Sequence, residues 1–137
     1  MVNQNIVESF LTEKKLALAG ASRTAGKFGN AVFKELSSQG YELFLIHPEA
    51  EAISGVTSYR SLSELPTVVG GLITVIPPAQ TKKLVQEAHA VGIKKVWMQQ
   101  GSASEDAIGF CQEHDMDVVH GECILMFAQP QGLHKFH

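Results

Sequence analysis

The segment Ala19-Gly20-Ala21-Ser22-Arg23-Thr24-Ala25-Gly26-Lys27-Phe28-Gly29 gathers small residues, two hydroxyls and two cations within the length of one turn. Such a segment suits an anion. Glycines at 20, 26 and 29 let the backbone bend sharply and approach a ligand closely. A helix beginning here would present N–H groups carrying a partial positive charge. Ser22 and Thr24 add hydroxyls, Arg23 a guanidinium fork and Lys27 a mobile ammonium, the groups that hold phosphate oxygens. The chemistry expected is therefore the gripping of a phosphate, with Gly20, Ala21, Ser22, Arg23, Thr24, Gly26, Lys27, Phe28 and Gly29 as its residues.

Spacing narrows which phosphate ligand this is. A P-loop needs four residues between its glycines and a Ser or Thr after the lysine; here five residues separate Gly20 from Gly26 and Phe28 follows Lys27. A dinucleotide fingerprint needs G-x-G-x-x-G and an acid at the tip of the second strand. Ser22 replaces its middle glycine, and the second strand ends in His47-Pro48 with Glu49 only after the proline. An NAD(P)-binding module stays an alternative reading, and an interaction protein without a ligand is another.

Other reactive side chains do not assemble into a catalytic set. The six histidines are scattered. His120-Gly121-Glu122-Cys123 places a base, an acid and a thiol together, yet a cysteine opening the apolar run Cys123-Ile124-Leu125-Met126-Phe127 reads as packing. Trp97, on a strand with Val96 and Met98, reads as core. Cys111 and Cys123 are too few and too far apart for a disulfide framework or a paired zinc motif. No catalytic residue and no metal site are assigned.

The elements that must position the turn alternate along the chain. Asn3 or Asn5 caps a first helix bearing Ile6, Val7, Phe10 and Leu11, expected as a lid on one sheet edge. Strands are predicted over 16–20, 42–46, 71–76, 94–98 and 117–120, with a short edge strand near Val56–Tyr59. Helices are predicted over 27–39, 79–91 and 105–114, with Gly40 and Gly92 ending the first two and Ser104 capping the third. Strands separated by helices mean parallel pairing through right-handed crossovers. The fold class is α/β: a Rossmann-like, doubly wound, mainly parallel sheet in three α/β/α layers. Ligands of such sheets sit beyond the carboxyl ends of the strands, so His47, Pro48, Ile76, Pro77, Pro78, Gln99 and Gly101 join the candidate site.

Composition agrees with one domain over residues 1–137, with the first helix over 1–13 and a tail over 128–137. The chain is 45% hydrophobic and 18% charged with net charge −3, which argues against nucleic acid as a partner. It has neither an apolar run of membrane length nor the start of a signal peptide, so a cytoplasmic protein is expected. Leu125, Met126 and Phe127 either meet a protein partner or a second copy of the chain, or cover their own sheet.

The ordered series Gly20-x-Ser22, Gly26, Gly29, Gly40-Tyr41, Ile46-His47-Pro48, Ile53-x-Gly55, Tyr59, Leu62, Leu65-Pro66, Gly92-Ile93, Val96-Trp97-Met98-Gln99-x-Gly101 and Cys123 resembles the small stand-alone CoA-binding proteins. Their domain is similar to the N-terminal half of the succinyl-CoA synthetase alpha subunit, and the resemblance covers roughly residues 14–127. It implies that the first turn cradles the phosphates of coenzyme A or an acyl-CoA, that the tip of the second strand packs on adenine, and that the turns near Pro77 and Gln99 line the pantetheine arm. The chain departs from the pattern in three places: His47 stands where Asn is usual, Glu49 where a basic residue is frequent, and glycine at 70 or 71 where Asp is usual. The last change is expected to concern the start of a buried strand. The synthetase's reaction needs a phosphorylated histidine in a second domain and a nucleotide-binding partner subunit, so a non-catalytic binding, carrier or sensor role is expected.

Overall fold

Alternation inside the first strand divides the molecule into two cores. In β1 (Lys15–Ala19), Leu16 and Leu18 point to one side of the sheet and Ala17 and Ala19 to the other, as the period of two requires. A computed structural model describes residues 3–21, 27–49, 51–53 and 55–130. The remaining strands are β2 (Glu42–Ile46), β3 (Ala52–Ile53), β4 (Val56–Tyr59), β5 (Gly71–Thr74), β6 (Lys95–Gln99) and β7 (Asp117–Glu122). They form one sheet in the order β3-β4-β2-β1-β5-β6-β7, parallel except for the β3–β4 hairpin at one edge. The predicted turn into an edge strand is thus a hairpin whose second arm pairs in parallel with β2.

Helices cover both faces. On the first, α1 (Gln4–Leu11) and α2 (Phe28–Ser38) bury Val7, Phe10, Leu11, Val32 and Leu36 against Leu16, Leu18, Ile73 and Trp97. On the second, α3 (Pro78–Ala90) and α4 (Glu105–Glu113) bury Val85, Ala88, Ala107 and Cys111 against Ala17, Leu72, Val96 and Met98. This is the doubly wound, three-layer Rossmann-like arrangement. Asn3 caps α1 by accepting the N–H groups of Asn5 and Ile6, and Ser104 caps α4 by accepting that of Ala107. Phe10 of α1 lies 5.5 Å from Trp97, ring centre to ring centre, and occupies the space a side chain at Gly71 would need. The glycine at the head of β5 therefore makes room for α1, at the opposite end of the strand from the cavity.

Three helices end in one geometry. After α2, Tyr41 N donates to Leu36 O at 3.1 Å; after α3, Ile93 N to Ala88 O at 2.9 Å; after α4, Met116 N to Cys111 O at 2.9 Å. Each is a Schellman turn whose left-handed residue is Gly40, Gly92 or Asp115. Leu125 and Phe127 fold back onto the first core, Phe127 reaching 5.8 Å from Trp97, while Met126 stays exposed. These apolar residues thus mostly cover their own sheet. Among the described residues no helix is long and apolar enough to cross a membrane.

Burial beneath α4 pushes the Cys111 thiol up to about 11 from its ordinary value of 9.0. Below pH 9 the thiol is protonated in both the folded and unfolded chains, so stability is intact. Between pH 9 and 11 only the unfolded chain ionises, and stability falls. The loss expected from this group across that window is about 2–3 kcal/mol. Urea melts at stepped pH should show a steeper alkaline decline for the natural chain than for Cys111→Ala; equal slopes would contradict it.

Candidate functional site

A parallel sheet wound outward from β1 in both directions leaves a gap beyond its carboxyl ends, between β1 and β5. The gap holds a cavity of about 760 Å³, the size of a cofactor site. The exits of β1, β2 and β5 form its floor: Ala19, Gly20 and Ala21; Ile46, His47 and Pro48; Val75, Ile76 and Pro77. Lys27, Phe28 and Gly29 at the start of α2 close one side, and Gln80, Lys83, Leu84 and Glu87 of α3 line another.

The exit of β1 is built by glycine. Gly20 has φ +127°, a conformation that L side chains rarely adopt, and a Cβ there would collide with the Val75 backbone. Val75 is this close because its N–H continues the β1–β5 ladder to Ala19 O at 2.8 Å. A Cβ on Gly29 would strike the Gly20 carbonyl, so the first turn of α2 rests directly on the exit of β1. Lys27 occupies the N-cap position of α2 and makes no capping bond, and Pro77 does the same for α3. The helices whose starts face the cavity thus lack the side-chain cap present on α1 and α4.

The tip of β2 is fixed by two bonds. His47 N donates to Tyr59 O at 2.8 Å, and Glu49 N donates to His47 Nδ1 at 3.0 Å. The imidazole thus accepts the N–H two residues ahead, as an Asn side chain does in an Asx turn, and His47 can stand where the resemblance has Asn. Pro48 is exposed on the rim. Opposite, the wall at Ile76 and Pro77 is tied down by buried hydroxyls. Ser102 Oγ lies 2.9 Å from Thr74 Oγ1 and accepts Ile76 N–H at 3.4 Å, and Thr81 Oγ1 donates to Ser102 O at 2.6 Å.

Gly20, Ala21, Lys27, Phe28, Gly29, His47, Pro48, Ile76 and Pro77 of the sequence-derived set come together on this cavity. Pro78, Gln99 and Gly101 are not among the residues lining it. Pro78 is the first residue of α3, and Gly101 takes φ +87° in the turn after β6. Gln99 is buried, its Oε1 accepting Ile124 N–H at 2.9 Å, so its amide holds the segment after β7 in place. Ser22, Arg23, Thr24 and Gly26 lie outside the described residues. Arg60, Val75, Gln80, Lys83 and Leu84 line the cavity without having been singled out. Leu84 had a signal in its helical spacing; Arg60 had none, because the parallel pairing of β4 with β2 is not local in sequence.

Fold and cavity together define a Rossmann-like domain with a cavity at the switch point of the sheet. Comparison with known proteins gives the family: the CoA binding domain matches residues 14–129, and the chain belongs to it. Among curated proteins it is similar to the alpha subunit of an ADP-forming acetate–CoA ligase II of Pyrococcus furiosus, 32% identical over 92 residues. That match covers 66% of this chain and 20% of the subunit. An ADP-forming acetate–CoA ligase II of Archaeoglobus fulgidus is 26% identical over 125 residues, 90% of this chain and 18% of the ligase. The chain thus spans about a fifth of the length of these relatives. Among solved structures, a conserved hypothetical protein of Pyrococcus furiosus has TM-score 0.78 at 36% identity, covering 82% of this chain and 97% of that one. A hypothetical protein of Pyrococcus horikoshii has TM-score 0.83 at 27% identity, covering 92% and 89%.

Proposed function

We propose that this domain holds coenzyme A or an acyl-CoA in the cavity beyond β1, β2 and β5, as a binding, carrier or sensor module and not as a catalyst. The observation that carries the reading is the glycine-built exit of β1, where the start of α2 opens on the cavity in a chain of the CoA binding family. The diphosphate lies against the turn that begins at Gly20 and ends at Lys27. Adenine packs on Pro48 at the tip of β2, and the pantetheine arm runs past Ile76 and Pro77 along Leu84.

Among the described residues lining the cavity none is a cysteine, and the histidine is His47, whose Nδ1 accepts the Glu49 N–H. Among the described residues no three His, Cys, Asp or Glu side chains group as a metal site. Glu87, the carboxylate on the cavity wall, is engaged by the Leu62 N–H. The role that fits is to retain the ligand and present its acyl end.

Thermal unfolding with CoA, acetyl-CoA, NAD, NADP and ATP tests this. A ligand at 100 times its dissociation constant stabilises by about 2.7 kcal/mol, and CoA or acetyl-CoA is expected to raise the midpoint while NAD and ATP leave it in place. Silence from both CoA and acetyl-CoA, with the fold intact, would refute the reading.

A further inference from the structure

Three cations of the described chain line the cavity, and they divide by position. Lys27 sits at the start of α2, on the side of the cavity where β1 ends. Arg60 and Lys83 come from elsewhere, the first just past β4 and the second from α3. β4 runs parallel to β2 with Tyr59 opposite Ile46, and His47 N–H bonds to Tyr59 O at 2.8 Å. Arg60 therefore stands beside His47, at the tip of the second strand.

In nucleotide domains of this winding, the second-strand tip meets the ribose of the adenosine half. An acid there accepts the ribose hydroxyls, whereas a guanidinium accommodates a phosphate on the ribose. The tip offers this cavity no carboxylate: Glu49 is exposed and does not line it. Arg60 lines it, and its ion pair with Glu51 is long, 3.8 Å, between side chains 60% and 90% exposed. Such a surface pair is weak and screened, so a dianionic phosphate able to take both arms of the guanidinium displaces it. Lys83 has no ion-pair partner among the described residues and raises the positive field on the same cavity.

Resting on the reading of the cavity as a nucleotide-cofactor site, we infer that Arg60 recognises a phosphate carried on the ribose of the bound adenine nucleotide. It thereby makes the domain select ribose-phosphorylated cofactors over their unphosphorylated counterparts. The chemistry is shared by the 3′-phosphate of CoA and the 2′-phosphate of NADP.

Calorimetric titration with CoA, dephospho-CoA, NADP and NAD, on the natural chain and on Arg60→Gln, tests the inference. The natural chain should bind CoA about 10-fold or more tighter than dephospho-CoA, the effect of one charge-assisted phosphate contact. Arg60→Gln should bring the two within about 3-fold, with the melting temperature unchanged because the side chain is exposed. Equal binding of CoA and dephospho-CoA, or a preference that survives in Arg60→Gln, would overturn the role of Arg60 while the CoA site stands. An Arg60-dependent preference for NADP over NAD, with no binding of either CoA form, would uphold that role and overturn the CoA reading. Binding of none of the four would overturn both.

Discussion

Gly29→Val is expected to abolish ligand binding, raising the dissociation constant for CoA by at least about 100-fold, and to destabilise the fold by about 2–4 kcal/mol. The added side chain meets the Gly20 carbonyl and the Ala21 amide. Both belong to the backbone, and no rotamer change relieves the collision. The helix start must instead lift off the exit of β1. That displaces Lys27 and Phe28 from the cavity proposed to hold the ligand. Two measurements separate the effects: chemical unfolding gives the loss of stability, and titration at a temperature where the variant is still folded gives the loss of affinity. Retention of natural affinity in a folded Gly29→Val chain would show that this contact does not shape the site. A glycine elsewhere serves as control, since Gly109 has nothing within 4 Å of an added Cβ, and Gly109→Ala should bind as the natural chain does.

The second large effect concerns stability alone. Trp97 is completely buried in β6, between Phe10 at 5.5 Å and Phe127 at 5.8 Å, and its indole N–H donates to Glu122 O at 3.1 Å. It joins α1, the central sheet and the segment after β7 in one cluster. Truncation to alanine leaves a cavity among three rings and an acceptor without its donor, a cost of about 3–5 kcal/mol. Trp97→Phe keeps much of the volume and is expected to lose about 1–2 kcal/mol. Because Trp97 does not line the cavity, CoA should bind either variant, once folded, with its natural affinity. A change in affinity would mean that the first core and the site are coupled.

Much of this architecture was legible before any coordinates, and the reasons are local. Leu16 and Leu18 against Ala17 and Ala19 state a strand buried on both faces, and glycines at 40 and 92 state helix ends because φ is +97° and +90° there. The third helix was placed over 105–114 with no stop residue named, and there Asp115 takes the left-handed position at φ +56°. The cavity residues Gly20, Gly29, His47, Pro48, Ile76 and Pro77 could be named because strand exits beside the switch point must face it. Gln99 ends β6 and Gly101 follows it, one strand further out, and there the amide of Gln99 satisfies Ile124 instead. Arg60 stayed hidden for the opposite reason: its place depends on which strand β4 pairs with, and a two-residue register with β2 leaves no periodic trace.

The buried hydroxyls of Thr74, Thr81 and Ser102 bind the end of β5, the turn after β6 and the opening of α3 into a single block. One bank of the cleft is therefore a fixed template, while the other, at Pro48 and Arg60, is exposed. Such a cleft sets shape along the template and offers charge on the opposite bank, where Arg60 stands. Ligands would be sorted by fit on one bank and by the anion they carry on the other.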